Sequence, residues 1–280
     1  MLETRPFVRP SPLPGFRPAL GIAVFWLALV VLVPLAALVL RAAGLGFGGL
    51  VDVALQPRVL AALRLSFGLS LGAAALDVAL GLLVAWVLTR YDFPGRRFLD
   101  AAVDMPFALP TAVAGIALTA LYAPNGWLGA PLDALGIKVA FTPLGVFIAL
   151  CFVGLPFVVR TIEPVLDDFD VEVEEASATL GARRVQTFAR VIVPQLLPAL
   201  LTGFALAFAR GVGEYGSVVF IAGNLPFVSE IAPLLVVVRL EEFDTTGATA
   251  IAVVMLALSF LMLLLVNLAQ ARTRRRLGYA

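Results

Sequence analysis

Residues 245–271, TTGATAIAVVMLALSFLMLLLVNLAQA, run from Thr245 to Ala271 without a charged side chain. A helix needs about 20 predominantly apolar residues to cross some 30 Å of hydrocarbon. This stretch therefore reads as a membrane span, and Arg272, Arg274, Arg275 and Arg276 behind it read as an anchor at the lipid headgroups. Working outward, the same reading applies to Ala19–Leu40, which is too long for a signal-peptide core and has no convincing cleavage site. Leu65–Thr89, broken only by Asp77, gives a further span, as do residues 101–121, 139–159 and 191–212. Six helical spans result. The runs are long and continuous, unlike the short alternating segments of a membrane barrel.

Composition agrees. The 280 residues are 61% hydrophobic and 14% charged, with mean hydropathy +1.01. Soluble chains are about 45–50% apolar and about 25% charged, so the excess must face lipid. There is no histidine, one cysteine (Cys151) and one lysine (Lys138). A histidine-dependent triad, a histidine-ligated metal and an intrachain disulfide are excluded. Lys138 is followed by Val139, so no Walker A loop is present. A net charge of +1 speaks against a nucleic-acid partner. No cofactor is expected.

Basic residues orient the array. With both termini in the cytoplasm, Arg5, Arg9, Arg17, Arg90, Arg96, Arg97, Arg160, Arg183, Arg184, Arg190, Arg272, Arg274, Arg275 and Arg276 lie inside. These are fourteen of the 20 basic residues. Arg41, Arg58, Arg64, Lys138 and Arg239 lie outside, and Arg210 falls within a span. The connection 160–194 is then cytoplasmic, and it is rich in acids: Glu163, Asp167, Asp168, Asp170, Glu172, Glu174 and Glu175. Its composition predicts a short helix over Val171–Leu180, capped by Asp168 or Asp170, with Gly181 as a left-handed stop. A second segment over Arg183–Val193 is expected to end at Pro194. Composition alone allows a plain solvated helix–turn–helix connector.

Spacing adds to that. Glu175-Ala176-Ser177, three residues, Gly181, nine residues, then Val191-Ile192-Val193-Pro194 resembles the EAA---G---------I-LP signature of ABC importer permeases. Ser stands for the usual third Ala, and Val for Ile and Leu. The resemblance implies a type I importer permease (MetI-like) fold, a single domain over residues 1–280, and a docking element for a separate ATPase at Glu175, Ala176, Ser177, Gly181 and Pro194. Further stretches narrow it. Leu88–Arg96 (LTRYDFPGR), Asp104–Gly115 (DMPFALPTAVAG), Pro156–Thr161 (PFVVRT) and Gly213–Asn224 (GEYGSVVFIAGN) are similar to permease subunits of the sulfate/thiosulfate (CysT or CysU) type, over roughly Pro14 to Arg276. Molybdate permeases share the Gly-Glu-aromatic-Gly and Ala-Gly-Asn elements. Phe220-Ile221 and Val238–Asp244 (VRLEEFD) favour the sulfate branch. The implied partners are a second permease of CysW type, an ATPase dimer of CysA type, a periplasmic sulfate/thiosulfate-binding protein, and the lipid bilayer of the bacterial inner membrane.

Several residues admit two readings. Asp77, inside a span, is either functional or a structural group held by a neighbouring helix. Arg210 and Glu214 share a helix face and can pair; the alternative is contact with substrate. Their segment resembles the pore-lining fifth span of the family, so Arg210, Gly213, Glu214, Gly216 and Ser217, together with Thr111, are the candidate pathway residues. Pro106 and Pro110 predict a kink at the start of the third span, which either is absorbed by neighbours or shapes the inner mouth of the pathway. Cys151 reads as an apolar filler. The expected function is the permease half of an ATP-driven sulfate/thiosulfate importer, not itself an enzyme. The alternatives are a permease for molybdate or another oxyanion, or a carrier working alone.

Overall fold

The computed structural model describes residues 16–276. Arg5 and Arg9 of the expected cytoplasmic flank lie outside the described residues, as do the side chains of Arg274, Arg275 and Arg276. Among the described residues the chain is helical, without strands. In order, the helices are α1 (Phe16–Ala43), α2 (Gly46–Ala54), α3 (Pro57–Arg90), α4 (Arg96–Val103), α5 (Met105–Ala108), α6 (Thr111–Tyr122) and α7 (Gly129–Ala134). Then come α8 (Pro143–Asp167), α9 (Val171–Thr179), α10 (Arg184–Val212), α11 (Val218–Ala222), α12 (Ala232–Glu241) and α13 (Thr245–Arg276).

Five of these are long and apolar enough to cross a membrane: α1, α3, α8, α10 and α13. The third expected span, 101–121, is not one helix. Asp104 separates α4 from α5, and Leu109 turns extended (ψ 133°) before Pro110. The proline ring excludes the helical region for the residue before it, and Pro110 has no amide to donate. The expected kink is a break. What remains, α6, is about 18 Å long at 1.5 Å per residue, short of the hydrocarbon thickness.

Helices α3, α8 and α10 pack on one another as the core. No water-driven force gathers helices inside lipid, so close approach rests on small residues. A Cβ on Gly81 would lie 2.7 Å from Val158 Cγ1, and one on Gly203 would lie 3.1 Å from Val158 Cα. Val158, Val159, Ile162, Leu196 and Val59 are fully covered there. By contrast, the apolar stretch of α1 is unburied, and α1 touches the rest of the chain through α13 and the adjoining α2.

The expected stop at Pro194 is not made. Residues Phe188–Ile192 form a π turn, in which Val193 N donates to Phe188 O, and the helix continues through Pro194 to Val212. The wider turn relieves the clash between the proline ring and the carbonyl one turn back. Helix α1 uses the same device: Ala28–Leu32 is a π turn, closed by Val33 N to Ala28 O, just before Pro34. Helix α8 likewise runs on past residue 159 to Asp167, with Pro156 and Pro164 inside it. Much of the expected connection 160–194 is therefore helix continuous with the neighbouring spans.

Candidate functional site

Helix α9 occupies Val171–Thr179, one residue short of the expected end. Of the two expected caps, Asp170 is the one used; its carboxylate accepts from Glu172 N at 3.0 Å. Gly181 adopts φ +83°, the left-handed conformation that costs a side chain most. Its amide donates to Ala178 O and the Ala182 amide to Ser177 O, which turns the chain toward α10. Ser177 faces inward, buried, and its Oγ lies 2.9 Å from Thr187 Oγ1, so the hydroxyls close the base of the turn. Glu175, Ala176 and Gly181 face outward. Apolar Leu180 and Val185 flank them at 88% and 77% exposure, and a cleft of about 450 Å³ runs beside Glu175, Ala178 and Phe188. An outward patch of one carboxylate, small residues and bare aliphatics suits a protein partner. Pro194 is not on this patch; it sits in α10 just past the π turn.

The candidate pathway residues do converge. Arg210 and Glu214 form an ion pair at the end of α10. Glu214 is 1% exposed, and its Oε1 also accepts from Ser217 N at 2.8 Å and Ser217 Oγ at 2.9 Å. Gly216 abuts Thr111: a Cβ there would run into Thr111 Oγ1 and lie 2.8 Å from its Cβ. Gly115 likewise has the backbone of Ser217 against it. Thr111 on α6 and the segment 213–222 are thus pressed together. Gly213 is exposed beside them. The Ser217 amide and hydroxyl both donate to Glu214.

Asp77 of α3 is fully buried against α8, where the thiol of Cys151 is the polar group facing its carboxyl. A Cβ on Gly154 would collide with its Oδ2. Other polar contacts escaped sequence reasoning. Arg160 on α8 binds Asp104 through Nε at 2.8 Å, and reaches Asp100 at 2.7 Å and Glu163 at 2.6 Å. It ties the core to the break at Asp104. Glu174, not Glu175, pairs with Arg90. Asp104 and Glu174 lie 56 and 84 residues from their arginines, beyond any local spacing rule, whereas Glu163 is one helical turn from Arg160.

Comparisons with known proteins fit this arrangement. Residues 77–277 match the family described as binding-protein-dependent transport system inner membrane component. The sulfate transport system permease protein CysT of Salmonella typhimurium (strain LT2) is 47% identical over 264 residues, covering 94% of this chain and 95% of that protein. The probable sulfate transport system permease protein cysT of Nephroselmis olivacea is 48% identical over 260 residues, covering 93% and 92%. In fold, the chain superposes on a bacterial ABC transporter involved in the import of the acidic polysaccharide alginate, with TM-score 0.75 at 14% identity over 92% of this chain and 95% of that one. A chain of the MetNI methionine ABC transporter gives TM-score 0.57 at 17% identity over 78% and 95%. The fold is that of ABC importer permeases, and the chain belongs to the binding-protein-dependent transport system inner membrane components, in the CysT group of sulfate transport system permeases.

Proposed function

We propose that this chain is the CysT-type permease subunit of an ATP-driven sulfate importer in the bacterial inner membrane. The observation that carries the reading is the near-full-length identity of 47–48% to sulfate transport permeases. ATP is hydrolysed on a separate CysA-type ATPase dimer that seats on Glu175, Ala176 and Gly181, with Ser177 holding the turn from inside. A CysW-type second permease completes the pathway, and a periplasmic binding protein delivers sulfate or thiosulfate. Both termini and the connection 160–194 face the cytoplasm, following the excess of basic residues on that side. The broken segment α4–α6 makes the sixth crossing; α8 and α11 cover one side of it, and the second permease covers the exposed side, since interrupted backbone is tolerated only where protein or a wet cavity lines it.

A bare dianion in hydrocarbon would meet a Born cost on the order of 20 kcal/mol per charge, so the path must be polar and wet. A strong cationic site would hold the ion too tightly for release. Arg210 is neutralised by Glu214, which suits a permease that passes an anion without trapping it. Thr111 and the backbone near Gly213 and Gly216 are the remaining pathway groups, and selectivity rests mainly in the binding protein. The test is ATP hydrolysis by the reconstituted complex with its binding protein. Sulfate is expected to stimulate it and molybdate to leave it at the basal rate. Stimulation by molybdate alone would move the chain to another oxyanion.

A further inference from the structure

Arg90, the last residue of α3, is held from three sides. Its Nη2 donates to Glu174 Oε1 of α9 at 2.7 Å. Its guanidinium carbon lies 5.4 Å from the centroid of Trp86, one turn back on α3, and 5.7 Å from that of Phe169, just ahead of α9. Trp86 in turn stands edge-on to Phe188 at 5.6 Å, where the π turn of α10 begins. Arg90 Nε is buried without a hydrogen-bond partner, so two rings and one carboxylate fix the head. A planar cation stacked in this way has little freedom to lag behind what it holds.

The far end of α3 is fastened too. Arg58 Nε and Nη2 donate to the two carboxylate oxygens of Glu230 at 2.8 and 2.7 Å, and Glu230 is 2% exposed. Ala232 N donates to Ser66 Oγ at 2.7 Å. Between these fastenings α3 is one helix of 34 residues with no internal proline, about 50 Å long at 1.5 Å per residue. Its neighbours are softer: α8 contains Pro156 and Pro164, and α10 contains Pro198 and a π turn. Prolines and π turns are among the places where helices bend, and the interior of α3 has neither; α3 serves as the rod.

We propose that Arg90 is a positioning residue for coupling: through Glu174 and Phe169 it makes α3 follow α9, and so carries movement at the ATPase dock to residues 225–232 at the other end of the rod. The proposal rests on the reading of α9 as that dock. It is tested in the complete complex, reconstituted with its ATPase and sulfate-loaded binding protein, by the ratio of ATP hydrolysis with and without the binding protein. Arg90→Gln and Glu174→Gln are each expected to retain the ATPase and to lower that ratio at least about fivefold, the low end of allosteric coupling factors. The exchange Arg90→Glu with Glu174→Arg is expected to recover part of it, since it restores the ion pair without the ring contacts. Arg90→Lys keeps the charge without the planar stack and is expected to show a smaller fall in the ratio; should the Arg90→Gln permease not fold, Arg90→Lys carries the test alone. Full stimulation in Arg90→Gln or in Arg90→Lys overturns the proposal, as does loss of the ATPase from the Arg90→Gln complex. Gly181→Val run in parallel separates the two readings: if it keeps its ATPase and transports normally, the dock fails and the proposal with it, whereas if it loses the ATPase while Arg90→Gln keeps full stimulation, the dock stands and the proposal alone fails.

Discussion

Glu214 is the most heavily committed carboxylate in the chain's described interior, taking Arg210 on one oxygen and two donors of Ser217 on the other. Removing one partner of such a pair strands the other charge. Arg210→Gln or Glu214→Gln alone should therefore destabilise the purified subunit by roughly 2–4 kcal/mol, somewhat below the ~3–5 expected of a fully buried pair because Arg210 keeps some contact with water. The double replacement should cost less than either single one, read from thermal unfolding midpoints. A double variant as unstable as the worse single one would mean the two residues do not act as a pair. Asp77 poses the opposite case. Both its oxygens are covered and face the weakly donating Cys151 thiol, and trading a poorly satisfied polar group for a similar apolar shape relieves up to roughly 1–3 kcal/mol. Asp77→Val is expected to raise the unfolding midpoint; a lowered midpoint would show that the carboxyl has a stabilising partner after all. The sequence made the Arg210–Glu214 pair legible because four residues on a helix are one turn. It left Arg160–Asp104 and Arg90–Glu174 unseen because nothing local links partners on different helices.

At the scale of elements, the connection between α8 and α10 behaves as two short arms around Gly181. Its positive φ of +83° is the reason for glycine there, since a Cβ would meet nothing within 4 Å. Gly181→Val is thus a test of backbone conformation rather than packing, with a strain cost of about 1–3 kcal/mol. The expected outcome is a folded permease that loses most of its ATPase on purification; normal retention of the ATPase and normal transport would contradict the dock. The helix start at Val171 was readable because acids and an Asx cap mark a helix start, while the choice between Asp168 and Asp170 as the cap was not. The continuation of α10 through Pro194 was not. A proline signals a helix stop only when the turn before it stays α, and the π turn at Phe188–Ile192 leaves no composition signature. Pro106 and Pro110 did announce a disturbance, but periodicity could not say that it would divide the segment into three.

For the whole molecule, hydrophobic runs legibly gave an all-helical membrane protein and five of its long helices, since lipid permits few other solutions. Orientation rests on the distribution of arginines. A cysteine introduced at the exposed Asn125 should be labelled by an impermeant reagent from the periplasm of intact cells, and one at Thr179 should not; labelling of Thr179 would invert the topology. The central claim is that this chain moves sulfate only as part of an ATP-driven assembly. The most direct measurement is uptake of labelled sulfate into proteoliposomes. One set holds the complete complex with ATP inside and the loaded binding protein outside, and the other holds this chain alone under an ion gradient. The account predicts ATP-dependent accumulation in the first and none in the second. Gradient-driven uptake by the chain alone, at a rate comparable to the complex, would contradict it and make the protein a carrier in its own right.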